Sequence, residues 1–128
     1  MDFSSKGPDG PAILLYNFSH KELDAWRFRM RGFPGIRLIP VSESAFGLTL
    51  REVLAEQSSA AGNAAQAFFR PMVVFANIPE PLVYPLISIC KQVTKEKVLK
   101  AMLTETNRAW TSDALYECLI QEEAQLGG

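Results

Sequence analysis

The chain of 128 residues holds a single histidine, His20, and only two cysteines, Cys90 and Cys118. A structural zinc site takes four ligands, mostly Cys and His, and these three scattered residues cannot fill one. No metal is therefore expected. No G-x-S-x-G turn, phosphate-cradling P-loop or G-x-G-x-x-G fingerprint occurs, and Gly32-Phe33-Pro34-Gly35 reads as a plain turn. No cofactor and no catalytic residue are expected. The cysteines lie within apolar helical patterns and away from any C-x-x-C, which reads as free core thiols in a reducing cytoplasm. Long hydrophobic runs are missing too: none approaches the ~18 apolar residues of a spanning helix, and the first eleven residues have no apolar signal segment. A cytoplasmic protein with no membrane partner is the expectation. Excess charge of one sign is also absent, at 13 Lys and Arg against 14 Asp and Glu. That balance offers no general pull toward nucleic acid or anionic lipid, so neither is expected as a partner. Arg27, Arg29, Arg31 and Arg37 fall close together, a grouping that reads as a solvated helix face beside a loop.

What remains is globular, with 48% apolar and 21% charged residues, and it repeats. Ala12-Ile13-Leu14-Leu15-Tyr16-Asn17-Phe18-Ser19 is matched sixty residues later by Met72-Val73-Val74-Phe75-Ala76-Asn77-Ile78-Pro79. Each is an apolar run, then Asn, then a large apolar residue, then a helix start. Ile36-Arg37-Leu38-Ile39-Pro40-Val41-Ser42-Glu43-Ser44 is matched sixty-two residues later by Val98-Leu99-Lys100-Ala101-Met102-Leu103-Thr104-Glu105-Thr106. A repeat fixes the architecture before any local detail does. The reading is one domain, a tandem duplication of a strand–helix–strand–helix unit, with a loose arm at 1–11, a first repeat at 12–57, a linker at 58–70 and a second repeat at 71–124.

Local signals agree with this division. Ser19 to Glu22 and Thr49 to Glu52 are capping boxes, in which hydroxyl and carboxylate satisfy free backbone N–H groups reciprocally. Leu23, Trp26 and Met30 follow helical spacing, and Gly32 suits a left-handed residue closing that helix. Pro79 and Pro81 mark the third helix, where Pro85 is tolerable only in the first turn. Thr111 or Ser112 caps the last helix, with Leu115, Cys118 and Leu119 facing inward. The expected core is Leu14, Leu15, Leu23, Trp26, Met30, Leu38, Val53, Val73, Phe75, Leu86, Ile89, Leu99, Leu103, Leu115 and Leu119.

The first strand of each unit is apolar throughout, as strands covered on both faces are. The second strands carry Arg37, Pro40 and Lys100, which belong at sheet edges. This predicts an α/β fold with a four-stranded, mostly parallel sheet of order 2-1-3-4 and helices on both faces. Two arrangements satisfy the repeat. With a twofold along the strands, the inner strands run parallel and the first and third helices take opposite faces. With a twofold perpendicular to the sheet, they run antiparallel. The parallel form is expected, because continuously apolar strands are typical of parallel sheets.

The stretch Leu103-Thr104-Glu105-Thr106-Asn107-Arg108-Ala109-Trp110 resembles the signature of a short bacterial domain family of unknown function. That signature is leucine, threonine, any residue, threonine, asparagine, two further residues and tryptophan before the last helix. The resemblance spans 72–123. The first unit is a degenerate copy, with Ala45 and Leu48 at the asparagine and tryptophan positions, and Glu105 stands where the family often has proline. The resemblance implies a fold unit and singles out Thr104, Thr106, Asn107 and Trp110, without implying an activity.

With parallel inner strands, Asn17 and Asn77 would sit side by side at the switch point where open α/β sheets bind ligands. Ser42, Glu43, Thr104, Glu105, Thr106, Asn107, Arg108 and Trp110 would complete one polar rim. Asn, Ser and Thr also favour strand-to-helix turns for purely local reasons, and Trp110 is expected to serve chiefly as a packing anchor. The functional expectation is a non-enzymatic binding or regulatory module, taking a small polar ligand or a protein at that rim, with a homodimer as a further expected partner state. The alternative is a small enzyme using Glu43, Glu105 or His20, the last with Asp24 one helical turn away.

Overall fold

The computed structural model describes residues 10–42, 45–55 and 69–125. Its elements are β1 (Ala12–Tyr16), α1 (His20–Arg29), β2 (Arg37–Val41), α2 (Leu50–Leu54), β3 (Met72–Ala76), α3 (Glu80–Val93), β4 (Leu99–Met102) and α4 (Ser112–Gln125). The element order strand–helix–strand–helix thus occurs twice. Most of the 58–70 segment and all but two residues of the 1–11 arm lie outside the described residues. The sheet has the order β2-β1-β3-β4. β2 pairs with β1, and β4 with β3, both in parallel. β1 and β3 pair antiparallel, Leu14 opposite Val74 and Tyr16 opposite Met72.

That inner pairing corrects the parallel arrangement expected from the apolar runs. Covering both faces requires only helices above and below, and it does so whichever way the two strands run. Every residue of β1 and β3 is buried. Leu14 and Val74 occupy equivalent places in the two halves, so a twofold perpendicular to the sheet passes between them. Thr49 and Thr111, which correspond under the sixty-two-residue offset, form an isolated antiparallel bridge. Around that bridge the Leu50 N–H donates to the Trp110 carbonyl at 2.9 Å and the Ser112 N–H to the Leu48 carbonyl at 3.0 Å. The two bonds interchange under the twofold.

A perpendicular twofold preserves the faces of the sheet. α1 and α3 therefore share one face, rather than lying on opposite ones as the parallel form requires. Trp26, Met30, Leu86, Ile89 and Cys90 pack there on Ile13, Leu15, Val73 and Phe75. On the other face Phe46, Leu48, Leu50, Val53, Leu54, Leu115 and Tyr116 cover Ala12, Leu14, Tyr16, Met72, Val74 and Ala76. Of the expected core, Leu23, Leu38, Leu103 and Leu119 are half-buried against these clusters, because they lie toward the margins of the sheet. Cys118 is half-buried rather than core, its thiol 3.7 Å from Glu122. Tyr116 holds the inward place instead.

Both capping boxes form: the Ser19 and Thr49 side chains accept the Glu22 and Glu52 N–H groups, and each carboxylate returns a bond to the cap backbone. Burial works to raise the pKa of Glu22, but the Ser19 N–H and the Thr94 and Ser19 hydroxyls outweigh it and hold the carboxyl below its ordinary value. Thr111 caps α4, accepting from the Ala114 N–H at 3.3 Å. Two local expectations are corrected. α1 ends in a 3-10 turn over Met30–Gly32, so Gly32 needs no left-handed conformation. Pro85 lies inside α3, beyond the first turn, on an exposed position, and the helix continues to Val93. Among the described residues, no helix is long and apolar enough to cross a membrane.

A polar side-chain contact joins the first half to the second, and others hold the segment before β3 to α4. Tyr16 Oη and Ser112 Oγ lie 2.8 Å apart within the core. The Tyr116 hydroxyl accepts the N–H groups of Phe69 and Arg70 just before β3, at 2.8 and 3.1 Å. The Arg70 guanidinium grips Glu123 of α4 with both terminal nitrogens, holding that carboxyl below its ordinary pKa. A depressed carboxylate stabilises the fold above its unfolded pKa and stops doing so as pH falls through its folded value. The wild-type chain should therefore lose its advantage over Glu123→Gln as pH falls below the ordinary glutamate pKa of about 4.3, read as converging urea midpoints. Leu86→Ala should cost about 2–5 kcal/mol in the same assay at neutral pH, as a buried leucine does.

Candidate functional site

The antiparallel inner pair divides the polar rim expected from the sequence. The carboxyl end of β1 lies beside the start of β3, and the carboxyl end of β3 beside the start of β1. Asn17 and Asn77 consequently leave opposite ends of the sheet, on the order of 15 Å apart at ~3.3 Å per strand residue. Ser42 is exposed at the end with Asn17. Glu43 lies outside the described residues. Asn77, Thr104, Glu105, Thr106, Asn107, Arg108 and Trp110 belong to the other end. No composite site of both asparagines exists in this arrangement. The chain itself occupies the place beside Asn77, whose side-chain amide donates to the Gly10 carbonyl at 3.1 Å.

Both asparagines have positive φ, 65° and 57°. This is the left-handed region, which costs most L residues ~1–2 kcal/mol and which asparagine tolerates best after glycine. A strand that must turn at once into a helix needs such a residue, and asparagine recurs there in both halves for that reason. The recurrence was visible in the sequence; its backbone cause was the missing part.

The 103–110 loop is built around Asn107. Its side-chain oxygen accepts the Thr104 N–H at 2.8 Å, and its amide nitrogen donates to the Met102 carbonyl at 2.9 Å. The Thr104 hydroxyl in return accepts the Asn107 N–H at 3.0 Å, and the Thr104 carbonyl accepts the Arg108 N–H at 3.1 Å. Asn107 is buried while Thr104, Glu105 and Thr106 are exposed. Asn107 thus holds the backbone, and its neighbours present their side chains outward. Trp110 closes the loop, its N–H on the Asn107 carbonyl. Trp110 is 36% exposed and Met102, at the other end of the loop, 42%. Trp110 is thus mostly covered, with about a third of its surface left in water, beside the Thr49–Thr111 bridge.

Of the residues named for the enzymatic alternative, Glu43 lies outside the described residues, and His20 and Glu105 are far apart. Asp24 accepts from Arg27 at 2.9 Å. His20 begins α1 at the end of the sheet opposite Glu105. Among the described residues, no group of three or more His, Cys, Asp and Glu converges on a metal-sized space. The arginine grouping is likewise divided: Arg27 meets Asp24, Arg29 donates to Gln92 at 2.6 Å, Arg31 lies 5.3 Å over the Phe28 ring, and Arg37 reaches the Leu54 carbonyl.

A family profile described as a domain of unknown function (DUF3783) matches residues 71–126, the stretch from just before β3 through α4. No curated protein and no solved structure matches the chain.

Two substitution series check these roles. Asn107→Ala leaves the Thr104 N–H and the Met102 carbonyl without their partner and should cost about 1–3 kcal/mol, whereas Thr106→Ala should stay within ~0.5 kcal/mol, both from urea unfolding. At positions 17 and 77, Val should destabilise more than Gly. The reverse order would deny the left-handed explanation.

Proposed function

We propose that the chain is a tandem duplication whose second unit serves as a non-enzymatic binding module, engaging a protein partner through the 103–110 loop. One observation carries this reading: a partly exposed tryptophan stands on a loop whose backbone is held by a buried asparagine. Leaving indole surface in water forgoes burial worth roughly 25 cal/mol per Å². A partner that covers it recovers that free energy. The braced backbone has little conformational freedom left to lose on binding, and tryptophan is the residue type most enriched among energetically dominant contacts. Met102 adds a second apolar group at the far end of the loop, and Thr104, Glu105 and Thr106 form a polar margin. The twofold through Leu14 and Val74 supports the duplication. The first unit has Ala45 and Leu48 in place of Asn107 and Trp110 and so lacks both the brace and the aromatic group, which favours a single asymmetric contact over a symmetric one.

The test is native mass spectrometry of the chain purified from its own cells, as wild type and as Trp110→Ala. The proposal expects a protein bound to the wild type and missing from the variant, while the variant still unfolds cooperatively in urea. Wild type that carries no protein, or a partner held equally by the variant, would contradict it.

A further inference from the structure

The α3–β4 connection carries charge that neither the core nor the 103–110 loop employs. A groove of about 430 Å³ opens there, lined by Cys90, Lys91, Thr94, Lys95, Glu96, Lys97, Val98 and Lys100. Four ammonium groups and one carboxylate thus surround one concavity, in a chain whose formal net charge is −1. The lysines come from three places: Lys91 from the last turn of α3, Lys95 and Lys97 from the connecting loop, and Lys100 from β4. Those of α3 and β4 converge, since both Lys100 and Lys91 act electrostatically on the Cys90 thiol, whose pKa burial nevertheless raises.

A lysine near a helix C-terminus is accounted for by the helix dipole, which covers Lys91 and leaves the other three. Internal partners absorb this charge only in part, since Glu123 is acted on by Lys97 and Lys100 as well as by Arg70. Lys97 lies 4.0 Å from Glu123, a carboxylate already gripped by Arg70. Lys100 donates to the Val98 carbonyl at 3.1 Å, which bends its ammonium back over the loop without neutralising it. Among the described residues, no carboxylate pairs with Lys91 or Lys95. The groove wall is firm: Thr94 caps the helix and accepts the Glu96 N–H at 3.1 Å, and Cys90 and Val98 are buried. Like charges gathered around a concave surface repel one another and favour an anion that neutralises several at once. Lysine ammonium groups bind phosphate as point charges.

We propose that this groove binds a small phosphate-bearing anion of at least two negative charges, held between Lys91, Lys95, Lys97 and Lys100. Its volume lies in the range of small-molecule sites, about 300–1,000 Å³, and exceeds what a single inorganic ion fills. The site lies at the opposite end of β4 from the 103–110 loop, so either proposal stands or falls without the other. The corresponding connection of the first unit, Gly32-Phe33-Pro34-Gly35, carries no lysine. One groove per chain is the stoichiometry implied.

Tripolyphosphate is the probe, titrated into the full chain by calorimetry at about 0.15 M salt, where exposed charges farther apart than ~8 Å are screened. The proposal expects saturable binding of one anion per chain, and amide NMR shifts confined to residues near 90–100. Lys91→Gln with Lys95→Gln should weaken it about tenfold or more, since two charge-assisted contacts are lost. Lys91→Arg with Lys95→Arg should keep it within about threefold. Equal binding by the glutamine variant, no saturation, or tighter binding of a single-stranded oligonucleotide with shifts spread over the surface would overturn the proposal.

Discussion

The antiparallel pairing of β1 with β3 is the constraint on which the rest of the molecule depends. Two unbroken apolar runs meet with Leu14 opposite Val74, and every residue in them is buried. A pair of strands apolar on both sides must be covered on both sides. The pairing fixes how: the perpendicular twofold sends α1 and α3 to one face and the loops leading into α2 and α4 to the other. Those loops then meet over the middle of the sheet, where Thr49 and Thr111 bridge. Hydrogen bonding at the bridge and apolar packing beneath it are two expressions of one symmetry.

The same pairing decides where polar chemistry is absent. In a sheet whose inner strands are parallel, two carboxyl ends adjoin and leave a crevice between diverging loops. In this fold each carboxyl end adjoins the approach to the other inner strand, and that approach fills the place. Gly10 beside Asn77 is the visible instance. Polar residues at both ends are accordingly spent on the chain: the asparagines on left-handed turns, Asn107 on the loop before α4, Tyr116 and Glu123 on the segment before β3. The 103–110 loop and the lysine groove both face outward, at opposite ends of β4.

Much of this was legible in the sequence. Pro40, Arg37 and Lys100 placed β2 and β4 at the edges, the apolar runs placed β1 and β3 inside, and the capping boxes located α1 and α2. The direction of the inner pair was not legible. A strand that is apolar on both faces offers no polar side to mark its orientation, so the same letters suit either sense. That single ambiguity carried the candidate site with it, because the composite rim existed only in the parallel form. Asn17, Asn77 and Asn107 were found as positions but not as causes: a left-handed turn, a local brace and a ligand contact all call for the same side chain. The lysine groove escaped notice because its members are spread over ten residues in three elements, and composition averages their charge against acids elsewhere.

Interstrand proton contacts in solution test the central pairing most directly. Nuclear Overhauser effects between backbone protons of Ala12 and Ala76, and of Tyr16 and Met72, are the predicted set, since these residues face one another in the antiparallel register. Contacts instead between Ala12 and Met72 and between Tyr16 and Ala76 would mean parallel inner strands. They would return Asn17 and Asn77 to one rim and contradict the antiparallel core.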